Sequence, residues 1–156
     1  CIMCDDYATY YVETGLGRYI TKEEALEILR EGEKDGRIIN VTNSQDGENI
    51  CSCCDCGCGM LWMKKKFPGP SKDLWANFFS VIDYDKCVSC GSCAKRCPFG
   101  CIKREECMGC GLCVSACKKR AIVLHKKENA YVPPVTYDDA VEIWTKETKK
   151  DWKRYK

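Results

Sequence analysis

The chain has 156 residues, enough for one domain or two small ones, and 16 of them are cysteine. A single histidine, His125, leaves little room for zinc sites that mix Cys with His or for histidine acid–base catalysis. The formal charge of +2 conceals an acidic front and a basic back: residues 1–60 carry 5 Lys/Arg against 12 Asp/Glu, and residues 61–156 carry 20 against 11.

No run of about 18 apolar residues occurs, so no transmembrane helix is expected, and no secretory leader is expected either. Cysteine at this density belongs to a disulfide scaffold or to metal thiolates, which require opposite redox compartments. Spacing has to separate the two.

In chain order, Cys1 and Cys4 form a Cys-x2-Cys pair. Residues 19–36 read as a helix: Thr21-Lys-Glu-Glu24 matches a capping box, Ala25, Leu26, Ile28 and Leu29 give an apolar face, and Gly32 with Gly36 marks the exit. Arg37–Thr42 reads as a short strand and Asn43–Gly47 as an Asp-Gly turn. Five cysteines follow within Cys51–Cys58. Lys64–Pro70 carries too many helix breakers to continue a helix and reads as a linker. Phe79–Asp83 and Ala121–His125 are strand candidates that would pair antiparallel. After Pro133-Pro134, Tyr137, Val141, Trp144 and Thr148 recur at helical spacing, with Asp138 and Asp139 at the start and lysines towards the end. This predicts an amphipathic C-terminal helix matched to its macrodipole.

The chemistry sits in a tandem repeat. CVSCGSCAKRCPFGCI (87–102) and CMGCGLCVSACKKRAI (107–122) coincide at Cys, Cys, Gly, Cys, Cys and Ile with an offset of 20. Each copy contains the four-cysteine spacing of a 4Fe-4S cube: Cys87-x2-Cys90-x2-Cys93-x3-Cys97-Pro98, then Cys107-x2-Cys110-x2-Cys113-x3-Cys117. Three thiolates at two-residue gaps reach three irons of one cube, while the fourth points towards the other. The ligation should therefore cross, with Cys87, Cys90, Cys93 and Cys117 on one cube and Cys107, Cys110, Cys113 and Cys97 on the other. Gly91 and Gly111 would let the backbone approach the inorganic sulfides and donate N–H···S bonds. Zinc ribbons use two separated Cys-x2-Cys pairs, so zinc or disulfides fit these eight residues poorly.

On these motifs the chain resembles the bacterial-type ferredoxins with two 4Fe-4S clusters, over about residues 79–126. It departs from their pattern at Lys118, where a Pro is expected, and at Cys101, which reads as a small buried thiol with a spare ligand as the alternative. Lys95, Arg96, Lys118, Lys119 and Arg120 should raise the cluster potentials, because nearby positive charge favours the reduced form.

Of the front cysteines, Cys4, Cys51, Cys54 and Cys58 are a plausible ligand set for a third iron–sulfur cluster. A four-Cys zinc site, a thiol/disulfide relay and unligated thiols are the alternatives. The stretch Gly17–Leu29, Asn43 and the run Ile50-Cys-x-Cys-Cys-x-Cys-x-Cys58 resemble a front domain found in some anaerobe 4Fe-4S proteins, which implies an electron-carrier role. That family has cysteine where this chain has Gly57.

The expected architecture is α+β: a cysteine-rich front domain (1–66), a linker (67–78), a two-cluster ferredoxin module (79–130) and a C-terminal helical clasp (131–156). The expected function is single-electron transfer between redox partner proteins, or within an oxidoreductase complex, in the cytoplasm. No catalytic constellation is present. The rival readings are a redox-enzyme subunit whose Cys51–Cys58 run does thiol/disulfide chemistry with cluster electrons, and a binding module with purely structural clusters. Lys64–Lys66 and the tail Lys149-Lys150…Lys153-Arg154 lack any accompanying nucleic-acid motif, so no nucleic-acid partner and no membrane partner is expected.

Overall fold

Two small sheets and six helices organise the described residues, 1–66, 76–100 and 107–152, of the computed structural model. The first sheet has the order β1-β3-β2, with β1 at Ile2–Met3, β2 at Ile38–Val41 and β3 at Asn49–Cys53. The second pairs β4 (Phe78–Ile82) with β5 (Ile122–Lys126). The architecture is thus α+β. The chain falls into two compact units, one of residues 1–28, 40–51 and 132–156, the other of residues 29–39 and 52–131. This division cuts across the sequence-based segments, since the front segment contributes to both units and the C-terminal segment belongs to the first.

In the first unit, helix α1 (Asp5–Glu13) follows β1 directly. Sequence reading missed it: none of its residues is fully buried, and Ala8, Tyr11 and Val12 are only half-buried. Helix α2 (Lys22–Asp35), whose residues 22–28 belong to the first unit and 29–35 to the second, begins where the capping motif placed it, with the Glu24 N–H donating to Thr21 Oγ1 at 3.2 Å. The box does not close as expected: the Glu24 carboxylate binds the Arg18 guanidinium instead. Helix α6 (Tyr137–Trp152) has a reciprocal cap. Asp139 N–H donates to Thr136 Oγ1 at 3.2 Å, and the Thr136 hydroxyl donates to the Asp139 carboxylate at 2.7 Å. The 45–46 turn anchors its approach: Gln45 N–H donates to Pro134 O, and Tyr137 N–H donates to the Asp46 carboxylate at 3.2 Å. The Trp144 and Thr148 side chains and residues 153–156 lie outside the described residues.

In the second unit, β4 and β5 pair in full register, Phe78 opposite Lys126 through Ile82 opposite Ile122, as the sequence led one to expect. Main-chain bonds extend the ladder at both ends, from Asp83 N–H to Ala121 O and from Lys127 N–H to Asn77 O. Between these strands lie two single-turn helices, α4 (Ser92–Arg96) and α5 (Leu112–Ala116). Ile38, Leu61 and Leu112 form a core cluster against which Cys53, Cys58, Phe99, Met108 and Cys110 pack. Six apolar side chains are buried among the described residues. That is a small core for this length, and scaffolds with such cores are stapled by disulfides or metal centres.

Helix α3 (Gly59–Lys66) corrects the reading of Lys64–Lys66 as linker. Three lysines in a last turn suit the negative end of the helix dipole. Lys64 is buried, Lys65 pairs with Asp55 at 2.5 Å, and Lys66 lies over the Trp62 ring. Most of the expected linker (67–75), Cys101 and the basic tail at 153–154 lie outside the described residues.

Candidate metal centre

The two repeats build the same local structure twice. Gly91 and Gly111 sit at the N-caps of α4 and α5 in the left-handed region, at φ +72° and +79°. No side chain or backbone crowds a Cβ at Gly91, so its requirement is conformational. Each helix ends on the fourth cysteine of its motif, Cys97 or Cys117, in extended conformation. An extended residue directly after a single helical turn carries its thiol away from its own loop.

Cys87, Cys90, Cys93 and Cys117 line one cavity of about 430 Å³, together with Gly91, Ser92, Lys118, Lys119, Ala121 and Ile122. Three of these cysteines come from the first repeat and the fourth from the second. Cys97 is not among the lining residues. Cys90 is exposed, whereas the other three are half-buried. The Cys90 thiol donates to Ser92 Oγ at 3.4 Å, and the Ser92 hydroxyl and N–H, which can both donate to the ionised sulfur, hold the thiol below its ordinary range. Ala121 N–H donates to Cys117 Sγ at 3.3 Å.

The complementary four are mutual neighbours electrostatically. Burial pushes the Cys110 thiol up, and Cys97, Cys113 and Cys107 push it the same way, against a bond from the Leu112 N–H. Burial also raises Cys113, with Cys107 and Cys97 adding to it and the Ser80 hydroxyl opposing. Ser80 Oγ lies 3.6 Å from Cys107 Sγ, and Gly109 N–H donates to the same sulfur at 3.4 Å.

Both groups fit a 4Fe-4S cube. Each offers thiols that repel one another once ionised, so bound cations relieve them, and each has N–H or O–H donors aimed at sulfur. Among the described residues no three His, Cys, Asp or Glu side chains converge on a single-ion centre. A cube holds its four thiolates on four separate irons, so it calls for a cavity rather than one focus. Ser80 and Ser92 were not singled out from sequence. Their only signal is a hydroxyl placed beside a motif cysteine in sequence or across the sheet.

The front cysteines divide between the units. In the first, the β1–β3 register sets Ile2 opposite Ile50 and Met3 opposite Asn49. One step further places Cys1 across from Cys51. Cys4 instead stands across from Glu48, whose carbonyl accepts the Cys4 N–H at 2.9 Å. Cys51 Sγ hydrogen-bonds Asn49 Oδ1 at 3.5 Å. In the second unit, Cys53 ends β3, Cys54 and Cys56 form a disulfide across the turn, and Cys58 precedes α3, accepting Trp62 N–H at its carbonyl. Cys53 and Cys58 pack against the same core cluster as Cys110.

A family model described as 4Fe-4S binding domain matches residues 80–103 and again 104–123. Over 30 residues the chain is 50% identical to the protein named pyruvate synthase subunit PorD from Methanothermobacter thermautotrophicus. That match covers 19% of this chain and 37% of the relative, so the chain spans well under half of the relative's length in this match. No solved structure matches the chain significantly.

Proposed function

Because residues 80–123 are two tandem 4Fe-4S binding domains of the ferredoxin-like kind, we propose that this chain is an iron–sulfur electron-transfer subunit that exchanges single electrons with a redox partner in an oxidoreductase complex. The observation that carries this reading is the cavity built from Cys87, Cys90, Cys93 and Cys117, a ligand set drawn from both repeats. Cys107, Cys110, Cys113 and Cys97 would hold the second cube. When bound, the cubes supply one-electron exchange. The chain's own part is to hold them close together, to donate N–H and O–H groups to their sulfurs, and to set positive charge beside them. Lys118 and Lys119 line the first cavity and are the residues placed to favour its reduced form. The likeness to a synthase subunit supports a place in a complex. Among the described residues no helix is long and apolar enough to cross a membrane, and thiols at this density suit a reducing cytoplasm.

A second reading concerns the front run. The Cys54–Cys56 disulfide, next to Cys53 and Cys58 in the core shared with Cys110, favours a thiol/disulfide relay. One electron from each cube and two protons would reduce that disulfide to a dithiol. The competing proposal stays a third cluster or a zinc ion on Cys51, Cys54 and Cys58 with Cys4 or Cys1.

Anoxic iron, sulfide and zinc analysis with EPR of the dithionite-reduced protein tests all of these. About eight irons and reducible cubes support the electron-transfer reading, and about twelve support a third cluster. Clusters that no accessible potential reduces would sink it in favour of a structural role.

A further inference from the structure

A second cavity lies within the second unit. It measures about 570 Å³ and is lined by Arg30, Glu33 and Lys34 of α2, Ser92, Lys95 and Arg96 of α4, and Ser115 and Ala116 of α5. Four cations face one carboxylate. Among the described residues Arg30, Lys34 and Lys95 form no ion pair. Arg96 is held differently, its guanidinium donating to the carbonyls of Glu33 and Lys34 at the end of α2. This contact fixes α2 beside α4 and so places Arg30 and Lys34 over the recess.

Ser92 lines both this recess and the cavity of Cys87, Cys90, Cys93 and Cys117. Its hydroxyl touches the sulfur of Cys90, the exposed member of that set. An anionic surface seated on the four cations would therefore stand one side chain away from a ligating sulfur.

We propose that this recess is the docking site for a carboxylate-rich face of the electron-exchanging partner. The inference rests on the electron-transfer reading above and adds where, and through what chemistry, the partner binds. An acidic protein face is favoured over a small anion because Arg30, Lys34, Ser92, Lys95 and Ser115 are all exposed. Small-ligand sites bury most of the ligand in an enclosed pocket. Long, solvated cations around an open recess instead give the screened, rapidly formed contacts of transient redox encounters.

The test uses the anoxically prepared, cluster-loaded protein and a fluorescein-labelled deca-glutamate peptide, read by anisotropy at low ionic strength. Binding should weaken by about tenfold in the Arg30→Gln/Lys34→Gln/Lys95→Gln variant and weaken steeply with salt. A control with the same charge change elsewhere, Lys22→Gln/Lys126→Gln/Lys146→Gln, should bind like the wild type. Equal loss in both variants, or no loss in either, overturns the proposal. Displacement of the peptide by pyrophosphate at a far lower concentration than by free glutamate peptide overturns it in favour of a phosphate ligand. Should the triple variant load less iron, Lys34→Gln alone carries the same comparison. In parallel, oxidation of the reduced protein by Co(EDTA)⁻ moves one electron from protein to cobalt(III), giving cobalt(II) with no proton transferred. The peptide should slow it in the wild type and not in the recess variant. A reduced protein that passes no electron to cobalt fails the electron-transfer reading itself, and the peptide binding reports separately on the recess.

Discussion

Ser89 and Gly109 stand twenty residues apart and hold the same left-handed backbone conformation, φ +53° and +61°. The repeat continues at Gly91 with Gly111 (φ +72° and +79°) and at Gly100 with Arg120 (φ +63° and +51°). Among these glycines Gly109 is the one whose surroundings leave no room for a side chain. A Cβ at Gly109 would lie 2.6 Å from the Phe78 carbonyl oxygen. Gly109→Ala should cost more than the ~1–2 kcal/mol of a left-handed residue alone, since β4 must also move. Ser89→Gly should be near neutral. It relieves a similar strain but adds about 0.5–1 kcal/mol of unfolded-chain entropy. Thermal midpoints of the two anoxically loaded variants check the contrast, and equal midpoints would refute it.

Crossed ligation makes a sharp prediction for paired variants. If Cys93 and Cys117 serve one cube, Cys93→Ser/Cys117→Ser damages that cube twice and leaves the other its full set, about four irons per chain. Cys93→Ser/Cys97→Ser then removes one ligand from each cube and leaves no intact set. Iron content and reduced-state EPR should rank the two in that order. The reverse order would show each repeat holding its own cube.

The cluster module was legible because its constraint is chemical and local. Ligand spacing is set by the cube, so Cys87–Cys117 could be read without knowing the fold, and the flanking strands followed from the Phe79–Asp83 and Ala121–His125 patterns. What escaped was set by tertiary context. Helix α1 half-buries only Ala8, Tyr11 and Val12, a set spanning little more than one turn. The cysteine run was read only for its ligands, yet Cys51 and Cys53 lie on β3, where their alternation with polar Ser52 follows the strand period. Arg96 was read as a charge for tuning the clusters, and its α2 partners lie 62 and 63 residues away. No sequence pattern announces such a pairing.

That pairing gives Arg96 a structural role that can be separated from an electrostatic one. A guanidinium on the last carbonyls of a helix replaces bonds the helix cannot make itself. Arg96→Ala should cost about 1.5–3 kcal/mol, the range for hydrogen bonds to a charged group. Arg96→Lys should recover only part, because an ammonium lacks the fork that reaches both carbonyls. The cluster potentials should move little in either variant. Lys118→Gln/Lys119→Gln should instead lower the potential of the first cube with little loss of stability. Thermal scans and redox titrations of the three variants separate the roles, and a large potential shift in Arg96→Lys would contradict them.

Asp83 controls the turn into Cys87. Its carboxylate accepts the Lys86 ammonium at 2.6 Å and the Asp85 N–H at 3.1 Å, while its own N–H donates to Ala121 O. The Lys86 hydrogen bond, with the turn's N–H groups adding to it, holds this carboxyl below its ordinary range. A depressed carboxyl contributes stability above its unfolded value of about 3.9, and loses it as the pH falls through the lower folded value. Asp83→Asn should therefore bleach its cluster absorbance faster than the wild type at neutral pH, by a small factor because the pair is exposed. The difference should persist down to about pH 4 and close only below it, as the wild-type carboxyl takes up its proton. Bleaching rates at 400 nm, measured for both proteins across this range, test the sign. A difference that widens on acidification would show that the turn depends on the protonated acid.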